Sequence, residues 1–199
     1  MRNILLAASI LAAFCGLALG KDSAPKGGNP VVQLETSMGI ITVELYPEQA
    51  PVTVKNFLAY ITEGHYDGLI FHRVIGDFMI QGGGFSKEMK ERKAGHPPIR
   101  NEAANGLKND RGAIAMARTA AVDSATAQFF INTVNNDFLN HRSNTPQGYG
   151  YAVFGRVIAG MDVVDKIRAV PTGSTAGFQD VPKTPVTILK AAVVGDAGK

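Results

Sequence analysis

The chain has 199 residues, of which 45% are hydrophobic, and its formal net charge of +3 comes from 20 basic and 17 acidic residues. This length and apolar content predict one globular domain with an N-terminal extension, because a chain of this size can bury a sizeable core. The near balance of charges argues against a nucleic-acid or anionic-membrane partner.

The N-terminus has the pattern of a secretory signal peptide over residues 1–20. Arg2 is a minimal basic region, residues 4–19 are uncharged and mostly apolar, and Ala18 and Gly20 are small residues at the cleavage positions. A single membrane anchor is the alternative, since the apolar stretch is near the lower length for spanning a bilayer.

Residues 21–30, rich in Lys, Gly and Pro, predict a flexible linker without apolar periodicity. The predicted signal peptide leads us to expect export to the periplasm, with secretion from the cell as the alternative. No stable membrane association is expected after cleavage. Cleavage after Gly20 removes Cys15, the single cysteine, so neither disulfides nor thiolate metal sites are expected in the mature chain.

Hydrophobic periodicity predicts mostly short strands and two helices. The predicted strands are 31–35, 40–45, 69–75, 78–82, 112–117, 128–132, 151–158 and 185–194, and the predicted helices are 50–63 and 161–169. Residues 36–39 predict a hairpin turn, and residues 180–182 with Pro185 predict a turn into the last strand. This order predicts a mainly β fold, a closed antiparallel barrel, in one domain over 31–194 with a C-terminal tail at 195–199.

A functional site is indicated by two strands that carry polar side chains among apolar ones. Side chains alternate along a strand, so one face is predicted to carry Leu69, Phe71, Arg73 and Ile75. By the same rule, one side of the second strand is predicted to carry Gln128, Phe130 and Asn132. A guanidinium among bulky apolar neighbours is costly unless a polar group meets it. The pattern predicts an apolar cleft with a fixed cationic donor and nearby amides.

Several sequence blocks occur together in a characteristic order. These are F-H-R-V-I at 71–75, F-M-I-Q-G-G at 78–83 and S-A-T-A-Q-F-F-I-N at 124–132, with N-E-A at 101–103, M-A-R-T at 116–119, N-D-F-L at 136–139 and A-V-F-G at 152–155. Together they resemble the cyclophilins, the peptidyl-prolyl cis-trans isomerases, over about 31–194, and are most similar to the periplasmic bacterial members. The resemblance implies a closed eight-stranded barrel capped by two α-helices, with the site on its outer surface.

The resemblance also implies roles for individual residues, with no cofactor or metal. Arg73 is the expected catalytic residue, acting as an electrostatic donor to the proline nitrogen, and Gln81 is expected to orient Arg73 and contact the substrate. The other expected substrate-binding residues are Phe78, Met79, Phe130 and Leu139 around the proline, Ala117 and Arg118 along the peptide backbone, Gln128 at the next residue, and Phe138 and Tyr151 in the cleft. The implied partners are proline-containing peptides and unfolded exported proteins, bound by a monomer.

Three cleft positions depart from the best-known eukaryotic pattern. Phe138 stands in place of tryptophan, Tyr151 in place of histidine and Arg118 in place of asparagine. Isomerase activity is still implied, but weak affinity for the cyclosporin class of inhibitors is expected, because the indole N–H donor is absent.

Two other classes of function remain as alternatives. A proline-peptide receptor or holdase chaperone would keep the cleft but turn over little, and the presence of Arg73 favours the enzyme. A metal-dependent hydrolase is disfavoured, because the four histidines (His65, His72, His96 and His141) show no ligand spacing such as H-x-x-x-H. His72 is predicted to be a hydrogen-bonded core histidine on the face opposite Arg73.

Overall fold

The computed structural model describes residues 28–196. The signal peptide predicted at 1–20, most of the linker at 21–30 and the end of the tail at 195–199 lie outside them. The strands are β1 (Pro30–Thr36), β2 (Gly39–Leu45), β3 (Leu69–Ile75), β4 (Met79–Ser86), β5 (Ala113–Met116), β6 (Phe129–Asn132), β7 (Val153–Ala159), β8 (Thr172–Thr175), β9 (Phe178–Pro182) and β10 (Ile188–Asp196). The two α-helices are α1 (Pro51–Thr62) and α2 (Met161–Arg168).

Eight of the strands form one sheet in the order β10-β1-β2-β7-β5-β6-β4-β3. All of its neighbouring strands run antiparallel, as predicted. The sheet curls into a half-barrel, so that its outermost strands, β3 and β10, come close to each other.

A continuous ladder does not close the sheet. Its edges meet through the backbone N–H of Gly68, which donates to the Ile188 carbonyl at 2.8 Å, and that of Phe71, which donates to the Val186 carbonyl at 2.9 Å. The residue before Val186 is Pro185, which has no N–H to extend such a ladder. The structure therefore shows the eight antiparallel strands and two helices, but not the closed barrel that was predicted.

Helix α1 begins at Pro51, one residue after the predicted start, and Pro51 lies in the first turn as predicted, because the fixed φ of proline suits that position. The residue before the helix, Ala50, has no side chain that can cap it. Glu102 supplies the cap from a distant loop: its carboxylate accepts hydrogen bonds from the backbone N–H of Val52 at 3.1 Å and of Thr53 at 2.8 Å. This contact ties the start of the helix to the loop before β5.

The sheet separates two apolar clusters, because side chains of a strand alternate between its faces. Phe129 and Ile131 of β6 belong to the main core, which also contains Phe57 of α1 and Ile167 of α2. Phe130, which lies between them in sequence, belongs to a smaller cluster on the other face. This second cluster is where the predicted site residues meet.

A two-stranded hairpin, β8–β9, was not predicted from the sequence. Its first strand, Thr172–Thr175, is polar and only partly buried, so it lacks the apolar alternation that identifies a strand. Its turn contains Ala176 and Gly177 with φ of 52° and 84°, the left-handed geometry of tight hairpin turns. The hairpin packs against β3, which carries Arg73.

Within residues 28–196, no helix is long and apolar enough to cross a membrane.

Candidate active site

A cavity on the outer face of the sheet brings together most of the predicted site residues. Its lining consists of Arg73, Phe78, Met79, Gln81, Ala117, Arg118, Phe130, Leu139 and Tyr151. The two remaining candidates line flanking cavities: Gln128 on one side, with Gln81 and Ala117, and Phe138 on the other, with Arg118 and Tyr151. The three cavities share residues, so they form one groove across this face.

The floor of the central cavity is apolar. Met79 of β4, Phe130 of β6 and Leu139 are 2%, 4% and 8% exposed and pack in the second apolar cluster with Val153. The ring of Tyr151 contacts Phe130 edge-on, with ring centroids 5.7 Å apart. This arrangement gives the pocket walls of buried apolar side chains.

Phe138 and Phe78 form the outer rim of the pocket. Their rings are stacked with centroids 5.5 Å apart, and 60% of the surface of Phe138 is exposed. A large aromatic side chain with this much exposure is available to a ligand.

A β-bulge in β3 turns Arg73 toward the cavity. Phe71 pairs with Gly82 and Arg73 with Gln81, so β3 advances two residues while β4 advances one. The extra residue is His72, and bulges of this kind re-aim side chains next to active sites. As a result Phe71 packs in the main core while Arg73 faces the cavity, so the prediction that they share a face is wrong.

Arg73 is more accessible than a core guanidinium, since 44% of its side chain is exposed. Its Nε lies 3.8 Å from the Asp180 carboxylate of the unpredicted hairpin. Gln81, its cross-strand neighbour, instead donates from Nε2 to Oε1 of Gln128 at 2.9 Å. The structure therefore does not show the expected contact from Gln81 to Arg73. Among the described residues, the charged group beside the Arg73 guanidinium is the Asp180 carboxylate.

Gln128 reaches Gln81 because β4 leaves space for it. A Cβ atom added at Gly84 would lie 2.6 Å from the Gln128 side chain, so a larger residue at this position would displace Gln128 from its contact with Gln81. Gly84 therefore allows the close approach of a site residue.

Arg118 is held by the loop that follows Leu139. Its Nε donates to the Gly150 carbonyl at 3.0 Å and its Nη2 to the Pro146 carbonyl at 3.3 Å, while the guanidinium lies 4.8 Å from the centroid of the Tyr151 ring. These contacts fix the position of the side chain at the edge of the cavity. The structure therefore gives the Arg118 side chain a role in holding this wall.

The histidines do not form a metal site in the part of the chain that the structure describes, where no group of three His, Cys, Asp or Glu side chains could hold an ion. His96 pairs with Glu63 at 2.9 Å, and His65 packs beside Tyr60. His72 is buried as predicted, and its Nδ1 has no hydrogen-bond partner. Burial lowers the pKa of His72 to about 4, so the ring is neutral near pH 7.

Asp180 is the site residue that the sequence did not indicate. It was predicted to lie only in a turn, and instead it belongs to β9 with a φ of 59°. Positive φ is uncommon for residues other than glycine, and aspartate is among those that tolerate it best. Asp180 reaches Arg73 only because two separate hairpins pack together, and no local sequence motif indicates such a contact.

The fold and this groove define the chain as a cyclophilin-like protein with a peptide-sized site on the outside of its sheet. The family model described as "Cyclophilin type peptidyl-prolyl cis-trans isomerase/CLD" matches residues 31–193. The chain belongs to this family, and it is a peptidyl-prolyl cis-trans isomerase.

The relatives include proteins of several bacteria. The chain is 61% identical to peptidyl-prolyl cis-trans isomerase cyp18 of Streptomyces antibioticus over 164 residues, which cover 82% of this chain and 98% of the relative. It is 57% identical to peptidyl-prolyl cis-trans isomerase B of Escherichia coli over 163 residues, 82% of this chain and 99% of that protein.

A solved structure extends the similarity to the fold. The cyclophilin of Cryptosporidium parvum, crystallised in the presence of the dipeptide Ala-Pro, matches with a TM-score of 0.67 and 28% identity. The match covers 83% of this chain and 99% of that one.

Proposed function

We propose that the central cavity binds the proline of an X-Pro peptide and that Arg73 catalyses rotation about its amide. The observation that carries this proposal is the placement of one exposed guanidinium beside a pocket of buried apolar side chains, Met79, Phe130 and Leu139. The groove on either side of the pocket accommodates the residues before and after the proline.

The reaction needs no nucleophile, metal or proton relay, because no covalent bond is made or broken. An X-Pro amide rotates over a barrier of roughly 18–20 kcal/mol, which makes the uncatalysed exchange slow. Bringing it to the millisecond range requires about 5–7 kcal/mol of selective transition-state stabilisation, at about 1.36 kcal/mol for each tenfold in rate.

The twisted amide differs from the planar one in two ways that the cavity can use. Its resonance is lost, so the proline nitrogen gains a lone pair that accepts a hydrogen bond, and its carbonyl carries less negative charge. A rigid donor aimed at the nitrogen and apolar surroundings for the carbonyl therefore bind the twisted form better than the planar form. Arg73 supplies the donor, and it cannot act as a base because a guanidinium stays protonated.

The other cavity residues bind and orient the peptide. Phe78, Met79, Phe130 and Leu139 surround the proline ring, with Phe138 extending the rim. Gln81 and Gln128, joined by their own hydrogen bond, offer amide groups to the residue before proline. Ala117 presents backbone groups, and Tyr151 with Arg118 forms the far wall.

The physiological substrates that we propose are unfolded exported proteins, bound by a monomer in the periplasm. The support is the sequence of residues 1–20, which has the basic start, apolar stretch and small cleavage residues of a signal peptide. Mass spectrometry of the protein recovered from the periplasm should give a chain that begins at Lys21; an uncleaved chain in the membrane fraction would contradict export by this route.

Titration of the ¹⁵N-labelled protein with an Ala-Pro peptide tests the location of the site. We expect amide shifts at Gln81, Ala117 and Phe130, and none at Arg156, which lines a separate surface cavity with Tyr46. Shifts centred on Arg156 instead would move the substrate site to the other cavity.

A further inference from the structure

Three buried asparagines lie behind the apolar pocket and do not line it. Asn109, Asn132 and Asn136 are 1%, 0% and 2% exposed. Asn132 ends β6, two residues after Phe130, and Asn136 precedes the short 3-10 turn Asp137–Leu139. The three side-chain amides are hydrogen-bonded to one another in a row.

The row begins at the backbone of Phe78. Nδ2 of Asn136 donates to the Phe78 carbonyl at 2.8 Å and to Oδ1 of Asn132 at 2.7 Å. Nδ2 of Asn132 donates to Oδ1 of Asn109 at 3.2 Å and to the Ala113 carbonyl, also at 3.2 Å. The side-chain Nδ2 of Asn132 therefore bonds to Asn109, and its Oδ1 bonds to Asn136.

The row ends at the backbone of Leu139. Nδ2 of Asn109 donates to the Leu139 carbonyl at 3.3 Å. Asn140 secures this end, because its Oδ1 accepts hydrogen bonds from Asn109, from the backbone N–H at 2.7 Å and from Nδ2 at 3.2 Å. The Leu139 carbonyl also accepts the backbone N–H of Tyr151 at 3.0 Å.

The two backbone positions joined by this row carry side chains that line the pocket. Phe78 lies in the turn before β4, and Leu139 lies in the turn that follows β6, so no strand pairing links them directly. Both side chains line the cavity, as does Tyr151. The Phe78 carbonyl also accepts the backbone N–H of Thr133 at 3.1 Å, so the side-chain amides add to strand pairing in setting the spacing of these walls.

We propose that Asn109, Asn132 and Asn136 are positioning residues that fix the width of the proline pocket. The proposal rests on the assignment of this cavity as the proline site. A buried amide must keep its hydrogen-bond partners, so a row of amides bonded to one another holds one length and does not adapt. Loss of one member lets the turns at Phe78 and Leu139 move apart.

The expected kinetic effect follows from what the walls contact. They hold the proline ring, which has the same shape in the planar and twisted states of the amide. An interaction made equally in the ground state and the transition state contributes to KM and not to kcat. A change in pocket width should therefore weaken peptide binding while leaving turnover at saturation nearly unchanged.

Exchange NMR on an Ala-Pro peptide over a range of concentrations tests the proposal with Asn136→Ala. We expect KM to rise about fivefold or more, with kcat within about twofold of the wild type. Thr36→Val is the matched control: Thr36 is also buried, and its hydroxyl donates to the Gly39 carbonyl at 2.7 Å in the β1–β2 hairpin, away from the groove. We expect the control to keep both constants.

Asn140→Ala provides a milder variant if Asn136→Ala does not fold, because Asn140 is only partly buried. It should raise KM by a smaller factor, about twofold to threefold, and again spare kcat. Unchanged KM in a folded Asn136→Ala protein, or an equal rise in Thr36→Val, would overturn the positioning role. Arg73→Ala in the same series separates the two claims: unchanged kcat there would defeat the assignment of the site itself.

Discussion

Arg73 and Asp180 face each other between two hairpins that are more than a hundred residues apart in sequence. The Nε atom of Arg73 lies 3.8 Å from Oδ2 of Asp180, and the two side chains are 44% and 39% exposed. Asp180 is held there by a left-handed backbone conformation, with φ of 59°. The carboxylate thus limits the directions that the guanidinium can take beside the pocket.

Asp180→Asn tests whether this pair orients Arg73 for catalysis. Asparagine tolerates the same backbone conformation, so the hairpin should be retained. Exposed ion pairs are worth about 0–1 kcal/mol, so we expect kcat to fall by about two- to fivefold with little change in KM. Exchange NMR on a proline peptide measures both constants.

Asp162→Asn is the control for the change in net charge, because Asp162 pairs only with Lys166 on the surface of α2. It should behave as the wild type. An Asp180→Asn protein with unchanged kcat would show that the pocket orients Arg73 without this carboxylate.

His72 predicts how stability depends on pH. Its burial lowers the pKa to about 4 from 6.5, so the unfolded chain takes up a proton at a pH where the folded chain does not. Stability is therefore highest above pH 6.5 and falls as the pH drops from 6.5 toward 4, by at most about 3 kcal/mol from this group.

Urea unfolding at pH 7.5 and pH 4.5, with wild type and His72→Gln, measures this contribution. We expect the wild type to lose more unfolding free energy than the variant between the two pH values. Burial also lowers the pKa of His65, so His65→Gln should reduce the loss in the same direction. Equal losses in wild type and His72→Gln would contradict the assignment to His72.

Glu102 should contribute to stability as the cap of α1. Its carboxylate accepts from two backbone N–H groups and from the Thr53 hydroxyl at 2.8 Å, and its charge complements the positive end of the helix. Glu102→Gln is expected to lower the unfolding free energy by about 1–2 kcal/mol.

Chemical denaturation at neutral pH tests this effect, with Glu88→Gln as the control, since Glu88 is an exposed glutamate whose contacts are with its sequence neighbours Ser86 and Lys87. The isomerase activity of the folded Glu102→Gln protein should match the wild type. A loss no greater than that of Glu88→Gln would mean that the helix start is held by other contacts.

Phe138 predicts weak binding of the cyclosporin class of inhibitors. The ring is 60% exposed at the rim and stacks on Phe78, but it has no N–H to donate. Phe138→Trp should therefore bind cyclosporin about fivefold or more tightly than the wild type, as the added donor forms one hydrogen bond. Calorimetric titration measures the affinity for cyclosporin, and Phe138→Leu serves as a control without a donor. A Phe138→Trp protein that binds cyclosporin no better than the wild type would contradict this explanation.

The sequence indicated the residues that line the groove better than it indicated the contacts between those residues. Phe130 and Met79 are in the predicted pocket because strand alternation places them on the face opposite the main core. Alternation failed at Phe71 and Arg73, since the bulge at His72 reverses the faces of a strand that looks regular in sequence. The position of Asp180 and the open edges of the sheet depend on packing between distant segments, which no local pattern encodes.

Asn132 illustrates the same limit from within the site. Its position two residues after Phe130 placed it on the cavity side, yet it is fully buried behind the pocket and bonded to Asn109 and Asn136. Sequence periodicity gives the face of a residue but not the depth at which other segments cover it. The distinction separates residues that touch the substrate from residues that hold those in place.

The most direct test of Arg73 as the electrostatic catalyst is exchange NMR on a saturating Ala-Pro peptide, comparing the wild type, Arg73→Ala and Arg73→Lys at equal concentration. We expect Arg73→Ala to lose at least about tenfold in exchange rate and Arg73→Lys to recover part of it, because a lysine keeps the charge but lacks the fixed fork of donors. Circular dichroism should show an intact fold in each. Peptide binding with undiminished exchange in Arg73→Ala would contradict the account.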